Sequence, residues 1–164
     1  MNVIRSLNRS VLFLLLCALA IVTAPALRAE TPPEQVKDAG AIKLTTDLLD
    51  KMDAFIKAVG ADDAARNELN EIGKDPSVSQ SQDAWAAAIT SKCPKTSEHL
   101  KKAGITAADF TKGVSAIMAC AMSEDMAKSD NETAKANAEF VKANQARAEK
   151  TVGTFMELSV PKTP

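Results

Sequence analysis

Tyrosine is absent from the 164 residues, tryptophan and histidine occur once each, and aromatic residues make up only 4% of the chain. A core drawn from such a sequence must rest on aliphatic side chains and on close helix contacts through alanine rather than on large rings. The single histidine, His99, excludes zinc or haem sites built on paired histidines within one chain, and no C-x-x-C-H attachment sequence is present. Missing as well are a G-x-S-x-G elbow, a P-loop and a G-x-G-x-x-G turn. His99 is the only base available to a Ser–His–Asp site, and it stands in Glu98-His99-Leu100-Lys101-Lys102, a run expected on an exposed helix face. The carboxylate pairs Asp62/Asp63 and Glu124/Asp125 are adjacent rather than facing, which suits solvation and not acid–base chemistry. The expectation is a non-enzymatic protein without a cofactor.

Long apolar runs are confined to one place. Arg5 and Arg9 precede the uninterrupted apolar stretch Val11 to Val22, which ends at Thr23 and Pro25. That is a signal-peptide pattern, too short for the roughly 20 residues of a membrane helix. Cleavage fits after Ala26 or after Ala29, and residues 1–29 are read as the signal peptide; the bulky Leu14 to Leu16 before Cys17 argue against a lipoprotein. The expected location is periplasmic or secreted, with no stable membrane insertion after cleavage. Loss of Arg5, Arg9 and Arg28 removes three of the 20 basic residues while all 21 acidic ones remain, for a net charge of −4. A mildly acidic chain without basic clusters has no electrostatic footprint for nucleic acid.

Two cysteines then remain, Cys93 and Cys120, and in an oxidising compartment an even pair reads as one disulfide. The expected geometry is an antiparallel hairpin of two helices, Pro94 to Ala103 and Ala107 to Ala127, joined by Gly104-Ile105-Thr106. Counted outward from that turn at about 1.5 Å per residue, the two sulfurs differ by about one helical turn.

The remaining pattern is helical throughout. Residues 30–40 open with Thr31-Pro32-Pro33 and read as a flexible leader. Residues 41–158 read as a single all-α bundle of five to six helices, followed by a tail at 159–164. Leu44, Leu48, Met52, Phe55 and Val59 recur in a three-and-four rhythm over Ala41 to Val59, and a second short helix runs from Asp62 to Ile72. Trp85, Ala88 and Ile89 share one face of a third helix, with Trp85 its core anchor or, if partly exposed, the candidate contact residue. Thr106 and Asp109 form a capping pair at the start of the next helix. Ala134, Ala138, Val141, Gln145, Ala148, Val152 and Phe155 then form a heptad seam on a single long final helix, buried in its own domain or used for dimerisation.

Met118, Met122 and Met126 lie four apart, and soft thioethers at that spacing are a candidate Cu(I) site as well as an ordinary core filler. Shape is suggested by a further pattern. Leu100-Lys101-Lys102-Ala103-Gly104-Ile105-Thr106-Ala107-Ala108-Asp109-Phe110, together with Asn137-Ala138-Glu139-Phe140-Val141, resembles a group of small secreted or periplasmic helical proteins of Gram-negative bacteria. The resemblance implies an all-helical envelope protein and carries no activity or site. The leading functional expectation is a module that binds another protein or a small apolar ligand in a groove between helices. Alternatives are a self-associating structural or stress-related envelope protein, a homodimer through the heptad seam, and a methionine-based Cu(I) carrier.

Overall fold

The computed structural model describes residues 33–78 and 81–159. The segment read as a signal peptide and the last residues of the tail lie outside the described residues. Every regular element among the described residues is helical: α1 (Pro33–Ala39), α2 (Thr46–Gly60), α3 (Asp63–Gly73), α4 (Gln82–Lys92), α5 (Pro94–Ala103), α6 (Ala107–Met122), a 3-10 turn (Glu124–Lys128), α7 (Glu132–Ala143) and α8 (Gln145–Ser159).

Local chemistry sets most of these limits. The side chains of Thr45, Asp62, Ser81, Thr106 and Asn131 each accept a backbone N–H in the first turn of the helix that follows. In the capping pair, Thr106 Oγ1 accepts from the Asp109 amide at 3.0 Å and gives its own proton to the Asp109 carboxylate at 2.8 Å. At the end of α5, Gly104 adopts φ 69°, with Gly104 N–H donating to Lys101 and Ile105 N–H to Leu100. This left-handed position favours glycine because it has no Cβ.

One helix start is completed from elsewhere in the chain. Cys93 precedes Pro94 and supplies no side-chain cap, so the carboxylate of Glu68 on α3 accepts from the amides of Lys95 and Thr96 at 3.0 and 2.8 Å. It also takes the Thr96 hydroxyl proton at 2.9 Å. Negative charge at a helix N-terminus satisfies open donors and opposes the helix dipole.

The core uses the few rings economically. Phe55 of α2, Phe110 of α6, Phe155 of α8 and Trp85 of α4 form an edge-to-face chain with centroid separations of 4.6, 4.9 and 6.2 Å. Edge-to-face pairs add about 0.5–1.5 kcal/mol each beyond burial. Elsewhere small residues bring helices together: a Cβ on Gly113 would stand 2.9 Å from the Met52 sulfur. On the surface, Arg147 joins α8 to α2 through Asp50 at 2.5 Å and Asp53 at 2.7 Å.

Four expectations are corrected. Residues 33–39, read as part of the leader, form α1, which packs on α6 and α7 with Ala39 fully buried. The reason is Asn137, fully buried in α7, whose amide donates to the carbonyls of Ala39 and Ile42 at 2.6 Å each while its oxygen accepts from the Leu44 N–H at 2.8 Å. The long helix ending at Ala127 stops at Met122, where Ser123 turns extended. The final helix is two helices, broken at Asn144, so eight α-helices stand among the described residues where five to six were expected.

The fourth correction concerns the cysteines. Both are buried and free, and no disulfide joins them. The hairpin on which that pairing rested does not close: α5 packs on α2, α3 and α4, whereas α6 packs chiefly on α4, α1 and α7. Gly104 therefore turns the chain onto different neighbours instead of back along α5.

Candidate functional site

The most distinctive surface feature lies where α6, α7 and α8 meet. The last turns of α6 supply Ile117, Met118, Ala121 and Met122, and α7 supplies Ala138, Val141 and Lys142. Asn144 then interrupts the helix with φ −120° and ψ 26°, its amide donating to the Phe140 carbonyl at 2.9 Å. The α7 ladder ends there and α8 begins at Gln145. Gln145, Ala148, Glu149, Val152, Gly153 and Met156 follow at spacings of three, one, three, one and three, which is one face of a helix. Together these residues enclose a groove of about 780 Å³, inside the roughly 300–1,000 Å³ range of small-molecule sites.

Its chemistry is apolar with sparse polar groups. Met118, Met122 and Met156 are the exposed large hydrophobic residues of the described chain, at 37, 73 and 52% exposure, and all three line this groove. Thioether side chains are flexible and polarisable, so such walls adapt to an occupant's shape. Alanines and Gly153 keep the floor low. Among the described residues two charges of opposite sign lie on the lining: Glu149, which accepts from the Gln145 amide at 2.9 Å, and Lys142, which makes no ion pair there.

Among the described residues nothing packs where a Gly153 side chain would stand. This glycine sits inside α8, where glycine costs roughly 1 kcal/mol relative to alanine, yet a Cβ built on it meets nothing within 4 Å. At Gly113, by contrast, the neighbouring Met52 explains the missing side chain.

The methionine stripe is divided by the fold. Met118 and Met122 face the groove, Met126 is fully buried beyond the end of α6, and Met156 of α8 lines the same groove instead. Trp85 is half-buried against Phe155 and packs on the core. Cys120 lies under the groove wall at 9% exposure, its thiol pushed up to about 11 by burial. Cys93 is fully buried at the α4–α5 junction and pushed up to about 11, first by burial and then by the negative charge of Glu68.

His99, expected on an exposed face, lies half-buried, its Nε2 2.9 Å from the Asp62 carboxylate. That carboxylate also caps α3 through the Ala64 and Ala65 amides. Its hydrogen bonds, to His99 first and then to those amides, hold the Asp62 carboxyl below the usual carboxylate range. One oxygen thus caps α3 while the other ties His99 of α5 to the start of α3. Among the described residues no three His, Cys, Asp or Glu side chains gather into a metal-binding group, and no helix is long and apolar enough to cross a membrane.

Sequence reasoning named Met118 and Met122 but missed Lys142, Gly153 and Asn137 as functional or organising residues. The α8 stripe was legible as part of the heptad seam. A glycine interrupting an otherwise helical stretch, Gln145 to Ser159, was the overlooked signal. No family model matches the chain, and neither a curated protein nor a solved structure matches it.

Proposed function

We propose that this is an exported, non-enzymatic binding protein that holds a small apolar ligand in the groove between α6, α7 and α8. One observation carries the reading: the large apolar side chains left exposed among the described residues all line that one groove. Exposed apolar area gathered in a concave site is a ligand-binding signature, whereas single scattered side chains are not. Export is supported by the Arg5, Arg9 and Val11 to Val22 pattern, which gives a periplasmic or secreted location.

Burial favours ligand binding over self-association through the heptad seam. Ala134, Val141, Ala148 and Val152 are buried in their own domain, and the break at Asn144 ends the continuous helix that a seam would need.

The test is a titration of purified protein with the neutral fluorophore N-phenyl-1-naphthylamine. Saturable enhancement is expected for the native chain, with loss of at least tenfold in affinity in the Met122→Glu, Met156→Glu double variant, since each carboxylate must be desolvated beside an apolar ligand. An unchanged response in the double variant, at unchanged helicity, overturns the reading.

A further inference from the structure

Resting on that reading, we infer that the occupant is a free single-chain amphiphile with an anionic head, its chain lying along α8 across Gly153 and its head paired with Lys142. The shape of the groove supports the chain. From Gln145 to Met156 the lining stripe extends over about 17 Å at the rise of an α-helix, and its floor is made of Ala148, Val152 and Gly153. Gly153 supplies the second observation. Among the described residues a Cβ on Gly153 meets nothing within 4 Å, so the α8 backbone is open there to close approach of an occupant.

Charge sets the direction. Lys142 stands just before the Asn144 break and so at the Gln145 end of the stripe, whereas Met156 closes the other end. The lysine is exposed and makes no ion pair among the described residues, so its ammonium is available to an anion without breaking an existing contact. Glu149, the one carboxylate of the lining among the described residues, lies a full turn beyond Gln145 and is hydrogen-bonded by the Gln145 amide. An anionic head at the Lys142 end and a chain toward Met156 satisfies both the charge and the apolar wall.

A set of fourteen-carbon amphiphiles tests this by calorimetric titration of the purified protein: tetradecanoate, tetradecyl sulfate, tetradecanol and tetradecyltrimethylammonium. Both anions are expected to bind more tightly than the alcohol and the cation. Lys142→Glu should weaken tetradecanoate about tenfold and leave tetradecanol within about twofold, and Gly153→Phe should abolish binding of all four at unchanged helicity. Replacing tetradecanoate with dodecanoate should cost about tenfold, the effect of two buried methylenes. The head assignment is overturned if charge makes no difference while Gly153→Phe still blocks tetradecanol, an outcome that leaves the apolar groove standing. Binding of no amphiphile overturns both readings. Tetradecanoate binding that survives Gly153→Phe, or co-sedimentation with phosphatidylglycerol vesicles in place of monomer binding, overturns the assignment of a free amphiphile to this groove.

Discussion

The carboxamide of Asn137 receives the Leu44 amide proton at 2.8 Å across 93 residues of chain, inside the core. Through the same side chain it holds the carbonyls of Ala39 and Ile42. Three backbone groups between α1 and α2 are therefore satisfied by one residue of α7. Asn137→Ala leaves them without that partner, and each unsatisfied buried group costs about 1–3 kcal/mol. A loss of about 2–4 kcal/mol in urea unfolding is expected, with faster proteolysis between residues 40 and 45. Asn137→Asp should be no better at pH 7, because a carboxylate would face two carbonyl oxygens. Stability within 1 kcal/mol of the parent in both variants would count against this clamp.

Gly113 and Gly153, the glycines in helix interiors, give opposite expectations. Gly153→Ala restores helix propensity in open space and should stabilise by about 0.5–1 kcal/mol. Gly113→Val meets the buried Met52 side chain, whose sulfur would be 2.9 Å from the new Cβ, and should destabilise by about 1–3 kcal/mol. Thermal melts of the pair decide it. Equal shifts in one direction would show that propensity, not the neighbouring side chain, governs Gly113.

Acid should loosen the contact between α3 and α5. The His99 ring and the α3 amides hold the Asp62 carboxyl below its ordinary value. A lowered folded pKa means that this stabilisation is complete above the unfolded value of about 3.9 and is lost as pH falls through the folded value. Asn at this position keeps a capping oxygen but carries no charge. The stability gap between parent and Asp62→Asn should therefore be largest above pH 5 and shrink below pH 4. A gap in the urea midpoint that stays constant from pH 7 to pH 3 would remove the carboxylate from this account.

Both thiols should be slow to react in the folded protein. With burial pushing Cys93 and Cys120 up to about 11, only about one thiol in a thousand is ionised at pH 8. Reaction with a thiol-specific disulfide reagent should proceed mainly from unfolded molecules and accelerate to completion in denaturant. Immediate labelling of both residues under native conditions would contradict their burial. Labelling of neither in denaturant would reveal that the purified protein carries them oxidised.

Helix limits were the legible part. Asp62, Ser81 and Thr106 each cap a first turn, and Gly104 ends α5, because capping joins residues only two or three apart, whereas α2 starts at Thr46 behind its cap Thr45, five residues after the expected Ala41. The groove was half legible. Met118 and Met122 share a helix face by spacing alone, but Met126 left that face when α6 ended at Met122, and Met156 entered from α8. Proximity of residues some 34 positions apart is not a property of any local window.

The order of apolar and capping residues by itself determined that this chain is helical and where most helices begin, since those preferences are settled within one or two turns. Only the tertiary structure decided that residues 33–39 join the bundle, that Cys93 and Cys120 stay apart as free thiols, and that the three exposed methionines line a common groove. Each of those outcomes depends on which helix packs against which. That choice is made by long-range contacts such as Asn137 with Leu44 and Glu68 with Thr96, which leave no periodic trace in the sequence.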